Sequence, residues 1–205
     1  MPFTAAHLFL CPPNLYLSTP TCCMADAAPN PLKAPNRTHC WARCMVEECV
    51  RSGVDTFFVA PGSRSTPLTT AVAQHPEAKV VLHIDERGGA FAALGYGRAT
   101  GTAAGWITTS GTAVANGMPA VVEAAQEGIP MLLLTADRPP ELRDTGANQT
   151  IDQVKLFGGQ VRWHTDIPPP SADTPLASVL TTVDQALHYT QRPPGGPVHL
   201  NVMYR

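Results

Sequence analysis

Three observations predict an α/β fold, a parallel sheet with helices on both faces. From Thr38 onward, short apolar runs alternate with helix-like segments. The runs are continuously apolar, as suits strands covered from both sides. Polar, turn-forming residues follow the runs, so they gather at one edge of such a sheet.

In chain order, residues 1 to 36 carry Pro2, Pro12, Pro13, Pro20, Pro29, Pro31 and Pro35 with little charge. Such a composition sustains neither a helix nor a ladder, and a disordered tail is expected. Its apolar piece "AHLFLC" has no Lys or Arg before it and is broken by Pro12 and Pro13, which argues against a secretory signal. Asp26 as its only acidic residue fits an organelle transit segment, whereas the lack of arginine before Arg37 does not. A domain is expected over 38–205. It opens with a helix whose apolar face is Trp41, Ala42, Met45, Val46, Cys49 and Val50, ended by Gly53. The runs "TFFVA", "VVLHI", "AAGWITT" and "MLLLTA" read as buried strands, with helices near 66 to 74, 87 to 100 and 112 to 127 between and after them. Two more strands, near "VRWHT" and "VHLNV", flank a helix near 175 to 191. The segments "IPPPSADTP" and "PPGGP" read as connecting loops.

The 205 residues suffice for one domain with a tail. Net charge is −2 and only 15% of residues are charged, so no basic stripe points to nucleic acid and no polybasic segment to anionic lipid. Small molecules or other proteins are the expected partners. No apolar run approaches the roughly 20 residues of a membrane span, and a soluble protein is expected. All six cysteines (Cys11, Cys22, Cys23, Cys40, Cys44 and Cys49) lie in the first quarter of the chain. A disulfide framework would be spread through the fold, so a reducing compartment is favoured. Cys40, Cys44 and Cys49 have helical spacing, but no later cysteine or histidine pair completes a metal set.

In an open parallel sheet, ligands bind beyond the carboxyl ends of the strands. The loop Pro61-Gly62-Ser63-Arg64-Ser65 offers backbone N–H groups, hydroxyls and a guanidinium suited to a phosphate or carboxylate, and equally reads as an ordinary turn. It lacks the Gly-Lys-Ser/Thr ending of a nucleotide-triphosphatase loop. Ser110, Gly111 and Thr112 open a helix, where capping alone would explain the serine. For Arg138 the plain alternative is a surface salt bridge with Asp137 or Glu141. Glu86 in a first helical turn is favoured by the dipole without further purpose. Yet Gly88, Gly89, Gly95 and Gly97 follow it, each costing about 1 kcal/mol against alanine, so something must approach that helix closely. A glutamate beside such a contact would be largely removed from water.

Five blocks, "APGSRSTPL", "DERGGAFAALGYGRATG", "TSGTAVANGMPAVVEA", "LLLTADRPPELRDTGANQTIDQVKLFG" and "GGPVHLNV", resemble the N-terminal pyrimidine-binding domain of the 2-succinyl-5-enolpyruvyl-6-hydroxy-3-cyclohexene-1-carboxylate synthase family. The likeness runs from about Thr38 to Arg205. It implies a thiamine-diphosphate transferase of menaquinone and phylloquinone biosynthesis. That family decarboxylates 2-oxoglutarate and adds the succinyl carbanion equivalent to isochorismate. It also implies that Glu86 bonds ring nitrogen N1′ of the aminopyrimidine, with Ser110, Gly111 and Thr112 beside the cofactor. Ser63, Arg64, Arg138, Asn148 and Gln149 match the family's substrate-binding positions.

The family holds Mg2+ and the diphosphate through a separate domain with a Gly-Asp-Gly motif, and this chain has no Gly-Asp pair. The resemblance therefore implies half a cofactor site, completed by the diphosphate-binding domain of another subunit in a homo-oligomer, and a chain inactive alone. Two alternatives stand beside it: a non-catalytic interaction module, and a thiamine-diphosphate enzyme acting on another 2-oxo acid. Cytoplasm and plastid are not distinguished by these residues.

Overall fold

The amphipathic stretch at the start of the domain forms α1 (Arg37–Arg51), N-capped by Asn36, whose side chain accepts from the His39 N–H. The structure is a computed structural model that describes residues 30–205; most of the proline-rich segment, with Cys11, Cys22 and Cys23, lies outside them. After α1 come β1 (Thr56–Val59), α2 (Thr66–Gln74), β2 (Lys79–Leu82), α3 (Glu86–Thr100), β3 (Ala104–Thr108), α4 (Thr112–Ala115), α5 (Met118–Glu127) and β4 (Met131–Asp137). The chain ends in β5 (Trp163–Ile167), α6 (Leu176–Gln191) and β6 (Pro197–Met203). All six strands pair in parallel in the order β2-β1-β3-β4-β6-β5. The sequence-predicted α/β class is therefore the observed one.

Side-chain alternation along the strands divides the core in two. Phe57, Val59, Ile107, Leu132, Leu134, Val198 and Leu200 face Trp41, Met45, Leu68, Val72, Val183 and Leu187 of α1, α2 and α6. Phe58, Trp106, Met131 and Leu133 face Ala90, Ala93 and Leu94 of α3, Val121 and Ala124 of α5, and Phe157. The order reverses between β1 and β3, since β2 lies to one side of β1 and all later strands to the other. A crevice at the carboxyl ends of β1 and β3 is the geometric consequence.

Two expectations need correction. The "VVLHI" run is no buried strand: β2 is the sheet edge, all four of its residues are exposed, and Leu82 and Ile84 are 65% and 86% exposed. The run's apolarity reflects a surface uncovered within this chain. The helix expected over 112–127 is two helices, because Pro119 has no N–H to continue the ladder from α4. Among the described residues no helix is long and apolar enough to cross a membrane.

The glycines of α3 separate by cause. A Cβ on Gly97 would lie 2.7 Å from the Pro130 carbonyl oxygen, so backbone meets backbone there. At Gly88 and Gly89 the space belongs to His83 and, beyond it, Trp106. Gly95 meets nothing within 4 Å. Gly97→Ala is expected to cost about 1–3 kcal/mol through overpacking, whereas Gly95→Ala gains up to about 1 kcal/mol of helix propensity. Urea unfolding of the two variants distinguishes them by opposite shifts of the midpoint.

Candidate functional site

The turn after β1 is tied locally: the buried Ser65 hydroxyl donates to the Gly62 carbonyl at 3.0 Å and Thr66 to the Ser63 carbonyl at 2.8 Å. Ser63 remains exposed. Gly62 lies so close to Thr109 that a Cβ would stand 2.3 Å from the threonine Cβ, which joins this turn to the one after β3. There the Ser110 hydroxyl donates to the Gln149 carbonyl at 2.9 Å, and the Gly111 N–H donates to Gln153 Oε1 at 2.8 Å. Ser110 is thus no helix cap. Gly111 takes that place with φ of 84°, and Thr112 is exposed. The segment after β4 folds back over both turns, and Gln149 is held at φ of 52°, a left-handed conformation rare for a residue with a side chain.

Arg64 donates to the Tyr204 carbonyl at 2.8 Å, and Arg138 to the Asn148 carbonyl at 2.9 Å. Neither has a carboxylate partner among the described residues. Asp137 is taken by Arg143 at 3.0 Å, and Glu141 by Arg205 at 2.8 Å, so the surface salt bridge considered for Arg138 does not form. The Nε atoms of Arg64 and Arg138 are both buried without a hydrogen-bond partner. Burial, and next the positive charge of Arg138, pull the Arg64 pKa below the usual guanidinium range, against a smaller pull from Asp137. Arg64 and Arg138 are thus two cations that disfavour each other, each with an unmet donor.

Glu86 opens α3, behind the N-cap Asp85. Its side chain is half-buried and accepts from Asn116 Nδ2 at 3.3 Å. The expected removal from water is therefore partial in this chain. No hydrogen bond or ion pair links Glu86 to the Arg64 and Arg138 cluster, so the predicted residues form two groups along the same sheet edge. Among the described residues no cluster of acidic, histidine or cysteine side chains could hold a metal ion. Burial pushes the Cys44 and Cys49 thiols up to about 12, which leaves them unsuited to ligation.

Residues 41–156 match the family model described as thiamine pyrophosphate enzyme, N-terminal TPP binding domain. The chain belongs to this family. It is 69% identical over 182 residues to a 2-succinyl-5-enolpyruvyl-6-hydroxy-3-cyclohexene-1-carboxylate synthase from Salinibacter ruber, covering 89% of this chain and 31% of the relative. Proteins of the same name from Rubrobacter xylanophilus and Haloarcula marismortui are 66% and 53% identical, over 83% and 85% of this chain and 30% of each relative. The chain thus spans about a third of the length of the curated relatives it matches.

For this thiamine pyrophosphate enzyme domain, sequence reasoning missed the support beneath the site. Gln153, fully buried, donates to the Ala136 carbonyl at 3.1 Å and to Asn201 Oδ1 at 2.8 Å while accepting from Gly111. Asn201 donates in turn to Asp137 Oδ2 and Asp166 Oδ1, both at 2.8 Å, and accepts also from Thr135. The available signal was His199 and Asn201, two polar residues spaced by two inside an apolar strand, hence on one face.

Thr135 shares a 2.7 Å hydrogen bond with His199 Nε2. Burial, and next the neighbouring His164, push His199 from 6.5 down to about 3. Between those values the unfolded chain takes a proton that the folded chain refuses. Stability fully present above about pH 6.5 is therefore lost on acidification, with a slope of up to about 1.4 kcal/mol per pH unit from this residue. Urea unfolding from about pH 7 down to about pH 4 is expected to show a shallower loss in His199→Gln than in the parent chain.

Proposed function

We propose that the chain is the pyrimidine-binding domain of a thiamine-diphosphate-dependent synthase that joins a decarboxylated 2-oxoglutarate unit to isochorismate, a reading supported by relatives named 2-succinyl-5-enolpyruvyl-6-hydroxy-3-cyclohexene-1-carboxylate synthase. The observation that carries this reading is the pair Arg64 and Arg138, whose buried Nε atoms lack partners and which no carboxylate neutralises. Both proposed substrates carry several carboxylates, and planar guanidinium forks bind these in a bidentate manner.

The residues present fit one end of the cofactor. A half-buried carboxylate steadied by Asn116 suits the ring nitrogen of an aminopyrimidine, and the exposed Leu82 and Ile84 just before it in the chain offer apolar surface for a flat ring or for the domain that clamps it. Among the described residues no acidic, histidine or cysteine cluster could hold Mg2+; in this reading the diphosphate and Mg2+ are held by a diphosphate-binding domain from another subunit. The open position at Gly95 and the 43% exposed Phe91 lie four residues apart on α3, a face suited to that partner. When bound, thiamine diphosphate would supply a nucleophilic carbon and an acceptor for the electron pair released on decarboxylation. Glu86 would hold a proton at the pyrimidine N1′. Arg64 and Arg138 bind and orient substrate carboxylates, with Ser63, Asn148 and Gln149 as neighbouring polar groups.

The test pairs this chain with the diphosphate-binding part of the Salinibacter ruber relative and supplies thiamine diphosphate and Mg2+. Consumption of 2-oxoglutarate and product formation with isochorismate are expected, with no turnover by the chain alone. Glu86→Gln should lower kcat by about 10²-fold or more. Arg64→Lys and Arg138→Lys should raise KM by about tenfold. Turnover of pyruvate instead, or association without any turnover, would replace the proposal by a different substrate or by an interaction module.

A further inference from the structure

The expected single helix over 112–127 breaks at Asn116 and Gly117, and the break sits against the start of α3. We propose that Asn116 is a positioning residue for the Glu86 carboxylate, and that the Trp106 indole sets the spacing at which the two meet. Asn116 Nδ2 donates to Glu86 Oε2 at 3.3 Å, the one polar contact of that carboxylate among the described residues.

The Trp106 side chain lies against the backbone on both sides of this contact. Trp106 is fully buried at the centre of β3. A Cβ on Gly117, the residue after Asn116, would lie 2.4 Å from the indole ring. A Cβ on Gly89, one turn after Glu86, would lie 3.5 Å from its Nε1. The indole therefore packs tightly against the helix break and, beside the nearer His83, touches the first turn of α3. Pro119 supplies the reason for the break, since it cannot donate back into α4. The result is a short segment that aims an otherwise exposed amide at one carboxylate oxygen and leaves the other without a hydrogen-bond partner among the described residues.

An amide suits this purpose. It restrains the carboxylate rotamer by a hydrogen bond and adds no charge that would compete for a proton. Leucine would fill the space without donating, and aspartate would reverse the electrostatics. The catalytic side of this inference rests on the proposed function, because Glu86 matters to turnover only under that reading. The contact itself does not.

Two measurements test it, and they fail separately. In the 205-residue chain, the Asn116 side-chain amide signal is followed by NMR across an acid titration. It should respond to ionisation of Glu86, and the response should vanish in Glu86→Gln. An amide signal indifferent to Glu86 overturns the proposal and leaves the synthase reading untouched. In the enzyme assembled with the diphosphate-binding part, Asn116→Leu should lower kcat about tenfold, equivalent to about 1.4 kcal/mol in the barrier, with KM for 2-oxoglutarate changed less than about twofold. Asn116→Asp should move the acid limb of the pH–rate profile to higher pH, since a second carboxylate disfavours ionisation of the first. Asn116 is exposed, so both variants should unfold at nearly the parent urea midpoint. If Glu86→Gln is inactive while both Asn116 variants keep the parent kcat and pH profile, the positioning role is overturned. If Glu86→Gln retains full activity, the synthase mechanism fails instead, and the catalytic part of this inference fails with it.

Discussion

Two buried carboxamides hold the carboxyl edge of this sheet together. Asn201 at the end of β6 uses both donors and its carbonyl oxygen, and Gln153 joins that oxygen to the Ala136 carbonyl and the Gly111 N–H. Buried amides left unpaired would each cost on the order of 1–3 kcal/mol. The network is therefore stable only when β3, β4, β5, β6 and the segment ending at Gln153 are all in place. The long loop after β4 owes its position to that requirement, since much of it is irregular and exposed. Gln149 and its left-handed backbone are pinned between Ser110 and Arg138's partner Asn148 as a consequence.

The same network decides which arginines are left without a carboxylate partner. Asp137 is fully buried and carries a charge that must be matched; Arg143 and Asn201 match it from two sides, and the Arg138 N–H caps its other oxygen. With its neighbouring carboxylate thus occupied, the Arg138 guanidinium extends toward the loop, and Arg64 reaches the same edge from the turn after β1. Like charges held close are unfavourable until an anion enters between them. The sheet edge gathers positive potential although the chain as a whole is slightly acidic.

Much of the fold was legible because its signals are local. Trp41, Met45, Val46 and Cys49 fall on one helical face and are buried there, and the runs around Phe57, Trp106, Leu133 and Leu200 are the strands the pattern predicts. The "VVLHI" run misled for a physical reason: apolarity records that a surface is covered in some state, and not by which chain. The break at Asn116 is marked by Asn116, Gly117 and Pro119, but the alanine, valine and glutamate on both sides are ordinary helix residues and mask it. At the site, Arg64, Arg138 and Glu86 could be picked out as charges placed just after strands. Gln153 and Asn201 could not, because the pairing that defines them spans 48 residues and exists only once the strands are in register.

The contrast between Gly97 and Gly95 sharpens what the exposed half of the domain means. Gly97 is explained inside the chain by the Pro130 backbone, whereas a Cβ on Gly95 would meet nothing within 4 Å and Phe91, Leu82 and Ile84 stay exposed. A helix that gives up side-chain bulk where nothing presses on it, beside an apolar edge strand left uncovered, is poorly matched to water. Glu86 stands at the head of that same helix, only half-buried. Under the proposed function, a second domain covering this face would withdraw the carboxylate from water and strengthen the interactions it makes. On that same proposal, docking of a second domain and completion of the pyrimidine site would be a single event.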